Sequence, residues 1–156
     1  MKKILYVLLI IIFTGCSSNE INNISNKLEI NNLNCKIEES YDTHGGFLCD
    51  GDYFAKLNCR DYLDTEIKIN WRKLPLSNEL KQIMDMKQCG EKDCYSIYEK
   101  YHIPDIFDGY YYFLDRHSES INKHNDQELN NRASYNFTLG IYDTKNKILY
   151  FYELDT

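Results

Sequence analysis

Four side chains in two short stretches carry the residue types that acid–base or metal chemistry needs. "THGGFLCDGDYF", residues 43 to 54, holds His44, Asp50 and Asp52 among glycines, and "FLDRHSES" holds Asp115, Arg116, His117 and Ser118. A histidine titrates near neutrality, so beside carboxylates it serves as a general base or a metal ligand. His44, Asp50, Asp115 and His117 are therefore the candidate polar or metal-binding pocket, on the expectation that the two stretches meet at one edge of a sheet. The competing reading is structural: Gly45 and Gly46 relax the backbone, and Asp50 and Asp52 make the local bonds that turns favour. An Asp, a His and a Ser in a row do not form a triad, because neighbours on an extended chain point apart. The chain also lacks the G-x-S-x-G elbow that exposes a serine nucleophile. No catalytic residue is assigned and no cofactor is expected.

The elements that must position these residues are strands and short helices. Asp50-Gly51-Asp52 sits between two apolar stretches and reads as a hairpin turn, which sets Cys49 opposite about Phe54. Leu63, Ile67 and Trp71 recur every four residues and predict a helix from Arg60 to Asn70. Pro75 interrupts the chain, and Ser77 then caps a second helix from Asn78 to Lys87. "YSIYEKYHIP" reads as a helical turn or an irregular segment, and 126 to 132 as a short helix. "GYYYFLD", 109 to 115, is a strand by its aromatic density. Tyr135, Phe137, Leu139 and Ile141 alternate with polar or small residues and predict a half-buried strand. "ILYFYELD" returns as its hairpin partner, with Asn146 expected at positive φ. Together these give an α+β fold, an antiparallel sheet of about five strands with helices packed on one face.

The start of the chain carries an address. Lys2 and Lys3 precede an apolar run from Ile4 to Phe13, then Thr14, Gly15 and Cys16, the pattern of an export signal. Ten apolar residues fall short of the roughly twenty that span a bilayer. Phe13-Thr14-Gly15-Cys16 resembles the lipobox of bacterial lipoproteins. That resemblance implies cleavage before Cys16 and acylation of its sulfur, hence an extracytoplasmic protein held by membrane lipid at an outer membrane, periplasmic face or cell surface. Ser17 after the cysteine favours the outer membrane in a cell that has one. Residues 17 to 34, rich in Asn and Ser and lacking aromatics, read as a flexible tether reaching roughly 25 Å. The expected organisation is a signal peptide at 1–15, a lipidated cysteine and tether at 16–34, and one domain at 35–156.

Charge and cysteines narrow the function. The chain has 18 Lys and Arg against 24 Asp and Glu, and loss of Lys2 and Lys3 with the signal takes the net charge to about −8. Acidic chains repel phosphate backbones, so nucleic acid is excluded as a partner. Besides Cys16 there are five cysteines, of which Cys89 and Cys94 are the best-spaced disulfide pair, while Cys35 must choose between Cys49 and Cys59. No spacing fits a structural zinc site.

The motifs "HGGF", "GDYF", "LPLS", "GYYYFLDRHSES" and "YNFTLGIYDTKNKILYFYELDT" together resemble an uncharacterised family of small membrane-tethered bacterial proteins, across most of residues 41 to 156. The family has no known activity, so the resemblance implies no catalytic residues. Leu48 and Cys49 depart from its pattern before Asp50-Gly51. The leading expectation is a non-catalytic lipoprotein that binds an envelope or secreted protein, as an inhibitor or immunity-type partner. The alternatives are a small metal-dependent hydrolase built on His44 and the Asp115 to His117 loop, and a purely structural envelope lipoprotein.

Overall fold

The computed structural model describes residues 19–31, 33–45, 50–59, 71–89 and 93–156. The expected signal and lipobox with Cys16, the helix expected from Arg60 to Asn70, and Cys49 lie outside them, although Trp71 is described. The fold is α+β: among the described residues, six antiparallel strands form one sheet and two more form a small ribbon. The strands are β1 (Lys36–Asp42), β2 (Gly51–Asn58), β3 (Trp71–Lys73), β6 (Gly109–Asp115), β7 (Asn136–Asp143) and β8 (Ile148–Asp155), in the order β1-β2-β8-β7-β6-β3. β4 (Gln88–Cys89) and β5 (Cys94–Tyr95) make the ribbon.

Alternation along the strands sorts side chains onto two faces, and both are covered. Phe137, Leu139 and Ile141 of β7 and Tyr150, Tyr152 and Leu154 of β8 face one core with helix α2 (Asn78–Asp85) and α3 (Ile97–Lys100). Tyr142, Leu149 and Phe151 point the other way, into a second core. That second core is closed by a helix, α1, over residues 19–27, and by the segment after it: Ile24, Leu28, Ile30 and Leu33 are all buried there. α1 thus adds a helix on the second face to those expected on the first, and the described residues 19–31 and 33–34 pack against the sheet within the stretch expected to be a flexible tether. Ile21, Ile24 and Leu28 recur at helical spacing, and their burial outweighs the polar composition around them. Gly140 makes the close approach possible, because a Cβ there would lie 2.8 Å from the Leu28 side chain and 3.0 Å from the Trp71 ring.

Other expectations shift by register. The hairpin containing Asp50-Gly51 pairs β1 with β2, so Phe54 faces Tyr41 rather than Cys49, and the connection runs from Thr43 to Asp50. Trp71 opens β3, pairing with Tyr112, rather than closing a helix. Ser77 caps α2 as expected, accepting from the Leu80 N–H at 3.2 Å. The segment 96 to 101 is a helical turn set by a reciprocal cap, Ser96 and Glu99 each accepting the other's backbone N–H. The 126 region is a 3-10 helix, Asp126–Asn131. Positive φ in the last hairpin falls on Lys147, not Asn146. Cys89 and Cys94 are bridged as expected, and Cys35 pairs with Cys59, clamping the segment that follows α1 to the end of β2.

Candidate functional site

Antiparallel pairing brings five strand ends to one end of the sheet. Asp42 lies opposite Tyr53, Gly51 and Asn136 both lie opposite Asp155, and Asp115 lies opposite Phe137. The two chemistry-bearing stretches therefore meet, as expected, but through residues outside the expected four. His44 Nε2 is 3.1 Å from Asp155 Oδ2, and Arg116 grips the same carboxylate with Nη1 at 2.9 Å and Nη2 at 3.1 Å. The other ring nitrogen, Nδ1, is 2.7 Å from Asp42 Oδ1. Partial burial disfavours the charged ring, yet the bonds to Asp42 and Asp155 outweigh it and raise the His44 pKa. Both ring nitrogens of His44 are thus already engaged by carboxylates.

Asp115 and His117 are engaged elsewhere. Asp115 is buried and takes both guanidinium arms of Arg132, one at 3.2 Å, while accepting the His117 N–H at 3.0 Å. Burial pushes its pKa up, but the Arg132 bonds dominate and hold it below the usual carboxylate value. His117 Nδ1 accepts the Glu119 N–H at 3.3 Å, and its Nε2 meets Ser134 Oγ at 3.3 Å. Asp50 is exposed. Among the described residues no three His, Cys, Asp or Glu side chains are placed to hold a metal ion. The four expected residues are thus near one end of the sheet without forming a shared coordination point.

The most heavily bonded carboxylate at this end is Asp52, which the sequence reading treats as a turn residue. It has the parity of Phe54 and so points under α3. Lys100 Nζ lies 2.9 and 2.7 Å from its two oxygens, the Tyr101 hydroxyl donates at 2.7 Å, the Tyr152 hydroxyl approaches at 3.4 Å, and Thr43 Oγ1 donates as well. Burial raises its pKa, but these donors, led by Lys100, bring it below the ordinary value. An open hollow of about 460 Å³ adjoins it, lined in part by Asp50, Lys100, Asp155 and Thr156. Glu153 completes the set on the other face, buried between Lys27 of α1 and the Thr138 hydroxyl. Alternation is the signal that could have found Asp52 and Glu153, since both fall at inward positions of otherwise apolar strands.

No protein-family model, curated protein or solved structure matches the chain. Function therefore rests on geometry.

A second concavity lies between α2, residues 74–76 and residues 103–107. It encloses about 460 Å³ and is lined by apolar side chains including Leu74, Leu76, Ile103 and Ile106. Phe107 stands at it with 90% of its surface exposed, an unusual position for a phenylalanine. Tyr98 lies in the same lining, its hydroxyl pushed up to about 12 by burial and then by the charges of Asp85 and Asp105. None of these residues was expected to form a groove, because an irregular segment such as "HIPDIFDG" carries no periodicity to place Phe107.

Proposed function

We propose that the protein is a lipid-anchored, extracytoplasmic, non-catalytic binding protein of inhibitor or immunity type, and that the groove beside Phe107 receives its partner. The observation that carries this is a division of labour among side chains. The carboxylates and histidine best suited to chemistry, Asp52, Asp115, Asp155 and His44, are tied to one another or to Lys100, Arg132 and Arg116, whereas a sizeable apolar groove with an exposed aromatic at its rim is open to solvent. Exposed aromatic anchors beside apolar pockets are what protein interfaces use. The two disulfides fit an oxidising, extracytoplasmic environment. No helix among the described residues is long and apolar enough to cross a membrane.

Acylation at Cys16 would hold the domain closely. α1 is described from residue 19, three positions after Cys16, a separation that the chain can span over at most about 10 Å. α1 lies on the sheet face opposite the groove, and a leash this short favours the α1 face toward lipid, leaving the groove outward. The test is site-specific photo-crosslinking in cells, with a photoreactive residue at Phe107 and, as control, at Lys145. The binding reading expects one defined adduct from position 107 alone, lost when Cys16→Ser abolishes palmitate labelling and membrane retention. Equal adducts from both positions, or none from 107, would remove its support.

A further inference from the structure

We propose that the groove recognises a cationic, apolar segment of a partner protein, seating a large apolar side chain against Leu76, Ile103 and Phe107 and an arginine or lysine beside Asp85 and Asp105. This rests on the groove being the partner surface and adds the chemistry of what enters it.

The argument is one of charge complementarity. Buried carboxylates of the fold are paired with cations: Asp52 with Lys100, Asp115 with Arg132, Asp126 with Arg72, Glu153 with Lys27, and the half-buried Asp155 with Arg116. The groove is different. Of the four charged side chains lining it, Lys81, Asp85, Glu99 and Asp105, three are acidic. Among the described residues neither Asp85 nor Asp105 makes an ion pair, and both are exposed. Both line the groove together with Tyr98, whose hydroxyl pKa is raised first by burial and then by these two carboxylates. A lone acidic patch would say little, since surface carboxylates are solvated. Here the two carboxylates flank an apolar hollow of about 460 Å³ with Phe107 at its edge, so a ligand that fills the hollow also carries its flanking charges against Asp85 and Asp105. A cation arriving there gains two partners, and an anion meets net repulsion from three carboxylates against one lysine. A second copy of this acidic chain is disfavoured by the same charge.

The experiment uses the full-length protein in non-ionic detergent and fluorescently labelled hexapeptides. The probe is acetyl-Gly-Arg-Leu-Phe-Arg-Gly-amide; one control carries Glu for both Arg, the other Ala for Leu and Phe. Anisotropy titrations are expected to show the probe binding at least tenfold tighter than either control. The double variant D85N/D105N should weaken the probe at least fivefold, as should Phe107→Ser, while Asp93→Asn, which removes a single charge at an exposed site by the ribbon, should leave it unchanged. Far- and near-ultraviolet circular dichroism checks that the exposed substitutions keep the fold. Equal binding of the Arg and Glu peptides, or indifference to D85N/D105N, would overturn the charge inference. If that happens while position 107 still gives its defined adduct in cells, only the ligand chemistry is wrong. If the adduct is missing too, the groove is not the partner surface.

Discussion

His44 Nε2 and Asp155 Oδ2 are 3.1 Å apart across 111 residues of chain, joining the connection after β1 to the last residue of β8. Because the folded-state pKa of His44 is raised above the ordinary 6.5, the charged ring stabilises the fold fully below about pH 6.5, and that contribution disappears as pH rises through the folded value. The pair is partly solvated, so its contribution is about 0.5–1 kcal/mol. His44→Gln should therefore lower the urea-unfolding free energy by about that amount at pH 5.5 and by clearly less at pH 8.5. An equal loss at both pH values would mean that the ring is neutral in the folded state.

Asp52 is the converse case. Its pKa is lowered from 3.8, so its stabilisation is present above that value and is lost as pH falls through the lower folded value. Asp52→Asn keeps the shape but removes the charge facing Lys100, whose ammonium retains some solvent. The expected cost is about 2–3 kcal/mol, less than for a fully buried pair because Lys100 can turn to water. Measured by urea denaturation, the variant should also lose less stability than the wild type between pH 5 and pH 2. A catalytic Asp52 would instead give a variant of nearly unchanged stability.

The two disulfides differ in the loop they close. Cys35 and Cys59 are 24 residues apart and Cys89 and Cys94 only 5. By chain entropy alone the first constrains the unfolded state by about 3.5 kcal/mol and the second by about 2 kcal/mol. Cys35→Ser should thus lower thermal stability more than Cys89→Ser, and it should also raise hydrogen exchange in residues 24–33, which the bridge holds against β2. If the small loop proves the more costly to open, native-state contacts rather than loop length set the order.

The terminal hairpin was readable because β7 alternates, β8 is a nearly unbroken apolar run and "TKNK" separates them, and the cap at Ser77 was readable because the residue type and its spacing to Leu80 and Ile83 coincide. The expected meeting of His44 with the 115–117 loop followed from counting strands, and the structure brings those stretches together, though at Asp155 and Arg116. What was hidden has physical causes. β1 carries Glu38, Glu39 and Ser40 on an exposed edge, so no apolar alternation marks it. β3 spans only Trp71–Lys73, too short for any period, and its pairing with β6 is wholly non-local. Tyr142 is buried in the core that α1 closes, a cover that composition did not reveal, while Tyr111 and Tyr150 are buried in the core on the other face.

That covering helix gives the sharpest test of the fold. Leu28 is fully buried against Gly140, Trp71 and the second core, so Leu28→Ala should cost about 3 kcal/mol, whereas the same change in a solvated tether would cost nothing measurable. Gly140→Ala attacks the contact from the other side. Its new methyl group would meet the Leu28 side chain at 2.8 Å and the Trp71 ring at 3.0 Å, and such overpacking costs about 1–3 kcal/mol. Since the clash with Leu28 vanishes once that side chain is cut back, the double variant should be more stable than the two losses added together, by about 0.5 kcal/mol or more. Equilibrium unfolding of the four proteins measures this coupling, and limited proteolysis supplies a second reading: residues 19–31 should resist cleavage in the wild type and become susceptible in Leu28→Ala. Strict additivity together with early cleavage in the wild type would return this segment to the status of a tether and leave the second face of the sheet without its helix.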